Sequence, residues 1–265
     1  VTSHDALLAD VITAAQIAGD AALAHFGKKI AVTRKLDGSP VTIADREAEQ
    51  AVRDWITERY PGDAIIGEEL GTTGGTTGQC WFVDPIDGTK TFVRGVPLWG
   101  SLIGVAVGQR VVAGAIYCPA ADLLVAAADG CGCTCNGVHC RVSDVHQIEE
   151  ATILATDTRF LHTPGRRLKW EALGARVAVE RTWGDCYGYA LVASGRAELM
   201  ADDRLAAWDA AALMPIVREA GGVFTDWLGN HALRGEDALA TNGSLAVPFR
   251  RALGVPVTAA ATAGA

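Results

Sequence analysis

Apolar residues recur at helical spacing over residues 4–26, where Leu7, Leu8, Val11, Ile12, Ala15, Ala18, Ala22 and Phe26 predict an amphipathic helix. Ser3 is placed to cap it and Gly27 to stop it. A basic stretch, Lys28 to Lys35, and the loop Asp37-Gly38-Ser39-Pro40 lead to a second predicted helix. It runs from Thr42 to Tyr60, buries Ala48, Val52, Trp55 and Ile56, and is ended by Pro61-Gly62-Asp63. Two short apolar runs then read as buried strands. Ala64-Ile65-Ile66 delivers Gly67-Glu68-Glu69, and Cys80-Trp81-Phe82-Val83 ends at Asp84. Between them, residues 71–78 are rich in Gly and Thr and predict an exposed, mobile loop.

From Leu98 to Val142 the chain breaks into short β segments punctuated by Gly, Pro and Asn-Gly, the pattern of an antiparallel meander. After residue 150 strands and helices alternate: ATILAT, ARVAVERTW, a helix near Tyr187–Ser194, RAELMA, a helix over Trp208–Ala220 closed by Gly221-Gly222, and a strand over Val223–Asp226. The division expected is an α+β half over residues 1–150, an α/β half over 151–255 and a flexible tail over 256–265. No internal repeat is visible.

The chain has 265 residues, 49% hydrophobic and 20% charged, which excludes a disordered chain and allows one large domain or two packed halves. Its net charge of −8 disfavours nucleic acid or an anionic membrane as a partner held by surface charge. An anionic substrate is still allowed, because bound cations can reverse the sign of a pocket locally. No apolar run reaches the ~18 residues that span a bilayer, and VTSHDALLAD lacks the basic start and apolar core of a secretory signal. The seven cysteines are not spaced as a disulfide scaffold, so a reducing cytoplasm is the expected setting.

The chemistry concentrates in WFVDPIDGTKTF, Trp81 to Phe92. A buried strand ends in Asp84, Pro85 fixes a turn, and Asp87 returns a second carboxylate. Two carboxylates at a strand end can bridge hard divalent cations. Gly88 and Thr89 open a helix whose first amides suit a phosphate oxygen. Taken alone, DPIDGT is equally well an Asp cap on a tight turn. Glu68-Glu69 and Asp209 each have bland readings too, as a surface acidic pair and a helix cap. Their joint occurrence with DPIDGT points to a shared site.

Together, GEE (Gly67–Glu69), DPIDGT (Asp84–Thr89) and WDAAAL followed by EAGG (Trp208–Gly222) resemble the inositol monophosphatase family of metal-dependent, lithium-sensitive phosphomonoesterases. The resemblance covers nearly the whole chain in order and spacing. It implies an α/β fold of layered αβαβα type, with the metal site between the two halves, and a homodimer. It also implies Glu68, Asp84, the Ile86 carbonyl, Asp87 and Asp209 as metal ligands, Asp45 beside a weaker third metal, and Lys35 on a mobile loop next to it. Five acidic side chains at one spot would repel a phosphate dianion unless cations stood between them. Mg²⁺, two or three per site, fits oxygen donors of this kind, and no Cys/His spacing there suits zinc. The mechanism implied is hydrolysis by metal-activated water, with Glu68, Thr89 and Asp45 as catalytic residues and Gly88 and Thr89 binding phosphate.

The wording GVPLWGSLIG and GDCYGY resembles the histidinol-phosphate phosphatase branch. Its substrate carries an amine and an imidazole, so Asp185 and Asp202 are the candidate substrate contacts, against a Gly-Asp turn and a solvated acidic turn as the bland readings. Trp99 and Tyr187 read as core, and Arg94 as surface. Residues 129–140 place Cys131, Cys133 and Cys135 on one strand face, with Cys140 returning after the Asn136-Gly137 turn. A packed hairpin is preferred there over a zinc site. No histidine is arranged with a Ser or Cys nucleophile. The function expected is hydrolysis of L-histidinol phosphate. The alternatives are an inositol-1-phosphate or broader sugar/nucleotide phosphatase and, more remotely, a non-catalytic metal-binding scaffold.

Overall fold

The central strands of both sheets are apolar on both faces, so each must be covered twice, and the chain satisfies this with five stacked layers. The structure is a computed structural model and describes residues 3–230, 233 and 236–259. In chain order the elements are α1 (His4–Leu23), β1 (Thr33–Arg34), β2 (Pro40–Val41), α2 (Ile43–Arg59), β3 (Ala64–Gly67), β4 (Gly71–Thr73), β5 (Gln79–Asp87), α3 (Thr89–Phe92), β6 (Gly100–Val107), β7 (Arg110–Cys118), β8 (Leu123–Ala128), β9 (Gly132–Cys135) and β10 (Val138–Cys140). There follow β11 (Thr152–Ala155), α4 (Gly165–Gly174), β12 (Val179–Arg181), α5 (Asp185–Ala193), β13 (Leu199–Asp202), α6 (Ala207–Glu219), β14 (Val223–Thr225), β15 (Ala238–Thr241) and α7 (Ala246–Leu253).

An eight-stranded sheet has the order β10-β9-β8-β7-β6-β5-β3-β4, antiparallel except where β3 runs parallel to β5. A five-stranded sheet has the order β12-β11-β13-β15-β14. Side-chain alternation sorts the layers. Trp81, Val83, Ile103 and Val105 face the outer helices and join Leu7, Val11, Val52 and Ile56 of α1 and α2. Phe82, Leu102, Ile116 and Val125 face inward onto α5 and α6, which are covered on their far side by Met200, Phe224 and Ala240 of the smaller sheet. That sheet's other face, Ile153, Leu199 and Leu239, packs on Trp170 of α4 and Phe249 of α7. The result is the αβαβα sandwich.

The inner helix α6 sits unusually close to the larger sheet. Gly104 and Gly114 are cross-strand partners beneath it. A methyl group on Gly114 would lie 2.2 Å from the Ala212 carbonyl oxygen, and one on Gly104 2.5 Å from the Ala211 carbonyl carbon. The small residues on both sides therefore fix how deeply α6, and Asp209 on its first turn, is seated. This is the packing reason for alanines in WDAAAL.

Several expectations shift at their edges. The first helix ends at Leu23, and Phe26 lies beyond it, stacked against Phe92 and Trp99. By length and mean hydropathy α1 would be long and apolar enough to cross a bilayer, although Asp5, Asp10 and Asp20 interrupt its apolar run, and nearly half of it is buried against the sheet and α2. The Gly/Thr loop is not wholly irregular: Gly71–Thr73 pairs with β3 as an exposed edge strand, and the Thr77 hydroxyl donates to Asp63. ARVAVERTW yields only the three-residue edge strand β12. The tail is described as far as residue 259, where the Thr258 hydroxyl donates to the Gly229 carbonyl; residues 260–265 lie outside the described residues.

Candidate active site

Strand β5 breaks register between Asp84 and Asp87, and the bulge turns both carboxylates to the same end of the sheet. The Ile86 amide donates to Asp84 Oδ1 at 3.0 Å, and the Ser101 hydroxyl holds the Pro85 carbonyl at 2.6 Å. The Ile86 side chain is buried among Phe92 and Trp99, which anchors the turn from beneath. Gly88 adopts φ 83, and a methyl there would come within 2.9 Å of Asp185 Oδ2, so the backbone passes where only glycine fits. Thr89 Oγ1 lies 3.0 Å from the Ile86 carbonyl and 3.3 Å from Asp45 Oδ1; its one hydrogen serves either.

Glu68 follows β3, beside β5. Its turn is clamped by Glu49 of α2, which is fully buried and accepts the Glu69 amide at 2.7 Å and the Leu70 amide at 3.1 Å, with its charge met by Arg53. Lys35, in the β1–β2 hairpin, reaches Glu68 at 2.6 Å and Glu69 at 2.5 Å. Asp45 occupies the first turn of α2 and accepts both the amide and hydroxyl of Thr42. Asp209 holds the matching position on α6, accepting the Ala206 amide at 2.9 Å through Oδ2. Its other oxygen, Oδ1, is buried without a hydrogen-bond partner.

These pieces meet. Glu68, Asp84, Ile86, Asp87, Gly88, Thr89 and Asp209 line one cavity of about 370 Å³, together with Asp185 and Asp202. Asp45 stands behind that wall, against Thr89. Asp185 has φ 50; its amide donates to the Thr156 hydroxyl and its carboxylate accepts from Thr91. Asp202 is buried and accepts from the Tyr189 hydroxyl at 2.8 Å. The Cys186 amide donates to Asp87, tying α5 to the DPIDGT turn. Trp99 is buried, Tyr187 is half-buried against the inner core, and Arg94 is exposed, bonding the Lys90 carbonyl.

The sequence reading missed the Glu49–Arg53 clamp, whose only signal is a Glu four residues before an Arg on a helix. It also missed the Arg204–Asp37 ion pair, which straps the β1–β2 hairpin across the cavity rim.

Crowded acids with few cations must hold on to protons. Burial first, and then repulsion from Glu68, Asp209 and Asp87, raises Asp84 well above the usual carboxylate range. Burial, then Asp185 and Asp209, does the same for Asp87. Burial carries Asp209 to about 7, Glu69 to about 7 and Asp202 to about 6, and it also raises Asp45 and Asp185. Partial burial opposes the charge on Lys35, but its bonds to Glu68 and Glu69 outweigh that and hold the ammonium above its ordinary value.

A hard divalent cation fits this donor set. All the groups are oxygens, one buried oxygen lacks a partner, and the mutual repulsion is what a cation would relieve. As the side chains stand, no three His, Cys, Asp or Glu among the described residues are arranged to hold a metal ion. The geometry explains why: Lys35 draws Glu68 aside, and Asp45, Asp87 and Asp209 each spend an oxygen on a backbone amide.

Comparison with known proteins agrees with this architecture. The model of the inositol monophosphatase family matches residues 4–259. A histidinol-phosphatase of Chlorobaculum parvum is 38% identical over 91% of this chain and 93% of its own. An inositol-1-monophosphatase of Mesorhizobium japonicum is 33% identical over 92% of this chain and 91% of its own. The crystal structure of the extragenic suppressor protein suhB from Bartonella henselae superposes with a TM-score of 0.89 at 30% identity, covering 95% of this chain and all of that one.

Proposed function

The chain belongs to the inositol monophosphatase family, and on that premise we propose that this phosphatase hydrolyses L-histidinol phosphate to L-histidinol and phosphate, with Mg²⁺ as its cofactor. The observation that carries the reading is the convergence of Glu68, Asp84, Asp87 and Asp209 on one cavity, with one buried Asp209 oxygen left without a hydrogen-bond partner. Asp84, Asp87 and Asp209, with Glu68 and the Ile86 carbonyl, would hold two cations, and Asp45 would support a weaker third. Bound Mg²⁺ supplies charge neutralisation for the phosphate dianion, an easily ionised water and stabilisation of the departing alkoxide.

The chain's own groups do the rest. The amides of Gly88 and Thr89 open α3 and donate to phosphate oxygens. Glu68 accepts a hydrogen bond from the attacking water, and Thr89 Oγ1, steadied by Asp45, fixes its line of approach. With charge supplied by cations, no strongly basic side chain is required. Asp185 and Asp202 flank the leaving-group side, where a carboxylate attracts the ammonium of histidinol phosphate. We further propose that the protein works as a homodimer. The second reading, an inositol-1-phosphate or broader sugar/nucleotide phosphatase, is favoured by the resemblance to the Mesorhizobium protein.

A panel of phosphate esters separates the two. kcat/KM for L-histidinol phosphate is expected to exceed that for inositol 1-phosphate by at least about 100-fold, roughly 2.7 kcal/mol of transition-state discrimination. Asp185→Asn should raise KM for histidinol phosphate about tenfold and leave inositol phosphate nearly unaffected. A preference for inositol phosphate would reverse the substrate assignment while leaving the phosphatase chemistry in place.

A further inference from the structure

The hairpin of β9 and β10 ends the larger sheet on the side opposite β4, and none of its residues lines the catalytic cavity. Its turn is built on Asn136 and Gly137, both at positive φ, which locks the two strands in register. That register sets Cys133 directly opposite Cys140. Directly opposed residues in an antiparallel ladder have Cα atoms about 4.5–5.5 Å apart, inside the range a disulfide spans. Their Sγ atoms stand 3.6 Å apart, so closure needs only side-chain rotation.

We propose that Cys133 and Cys140 are a reversible dithiol site, at which Cys140 attacks low-molecular-weight disulfides and Cys133 resolves the product. The order follows from burial. Cys133 is 1% exposed and packed in the core between the sheets, whereas Cys140 is half-buried and reaches solvent at the sheet edge. The electrostatics run the same way. The hydrogen bond it shares with Cys133, aided by nearby Arg196, outweighs partial burial and holds the Cys140 thiol below its ordinary value. The shared hydrogen bond and burial raise Cys133 correspondingly.

The exchange balances. The Cys140 thiolate attacks one sulfur of the small disulfide, forming a mixed disulfide and expelling one thiolate. Cys133 then attacks the Cys140 sulfur, expels the second thiolate and passes its proton to it. Two protein thiols are oxidised and one small disulfide is reduced to two thiols.

Proximity alone does not select this pair. Cys118 and Cys186 approach to 3.9 Å but are both fully buried, out of reach of a reagent. Cys131 is turned to the Asp5 carboxylate. Cys135 shares the face of Cys133 but stands opposite Val138.

Incubating the reduced full chain with excess 2-hydroxyethyl disulfide, then alkylating and mapping peptides, tests this. The expected result is loss of the mass of two hydrogens, a bond joining Cys133 to Cys140, alkylation of the remaining thiols, and reversal by dithiothreitol. Cys133→Ser should stop at one mercaptoethanol adduct on Cys140. A bond mapped to Cys135, all seven thiols still alkylated in the wild type, or no adduct on Cys140 in Cys133→Ser would overturn the proposal.

Discussion

Replacing Asp87 with Asn is expected to lower kcat by at least about 1,000-fold, roughly 4 kcal/mol of transition-state stabilisation, while the fold stays intact. The amide oxygen of asparagine still accepts the Cys186 amide, so the tie between α5 and the DPIDGT turn survives. What disappears is the negative charge, and with it the strongest reason for a cation to sit against the phosphate. The cation-free variant should be at least as resistant to heat as the parent, because burial and repulsion from Asp185 and Asp209 now oppress a charged group. Steady-state kinetics at saturating substrate and Mg²⁺, paired with a circular-dichroism melt, reads both outcomes. Near-normal turnover would remove Asp87 from the reaction; loss of the melting transition would make it a folding residue instead.

Stripping divalent cations should be as damaging: activity is expected to fall at least about 1,000-fold in chelator and to return with Mg²⁺. The same treatment exposes a stability signature. Asp209 and Glu69 are held at about 7, and Asp202 at about 6, chiefly by burial. A carboxyl raised above its unfolded value of about 4 binds its proton more tightly in the folded chain. The stability it contributes is full below about 4 and is lost as pH rises through about 7. The chelated protein should therefore melt at a lower temperature at pH 8 than at pH 5.5, and Asp209→Asn, which removes one of these titrations, should show a shallower decline. Mg²⁺ at pH 8 should restore the lost stability, because a cation held by the folded cluster would have no such site in the open chain. Melts in chelator that are independent of pH, or activity that survives chelation, would contradict this.

Much of the cavity's lining could be read from the chain because its acidic residues fall in local motifs. DPIDGT carries two carboxylates and the glycine that its turn requires, and Asp209 announces itself on the first turn of an apolar helix. Helices α1, α2 and α6 were legible because their periodicity is strong. Pairings between distant segments were not. Glu49 and Arg53 look like any exposed pair one helical turn apart, and only the folded position of Glu69 reveals that Glu49 is a buried acceptor. Arg204 and Asp37 meet across 167 positions of sequence, which no local pattern encodes. Strand β12 shrank because Ala175 and Arg176 are consumed in closing α4, and an edge strand gains little from extending. Glycine is a poor strand residue by propensity, yet Gly104 and Gly114 are the contact that seats α6.

These acids are expected to collect cations before they collect substrate. Anomalous diffraction from a crystal soaked in Mn²⁺, a close stand-in for Mg²⁺, tests it directly. The result expected is a peak about 2.2 Å from carboxylate oxygens of Asp84, Asp87 and Asp209, with Lys35 drawn away from Glu68. A map with no peak in this cavity, or with Mn²⁺ bound only elsewhere, would contradict it.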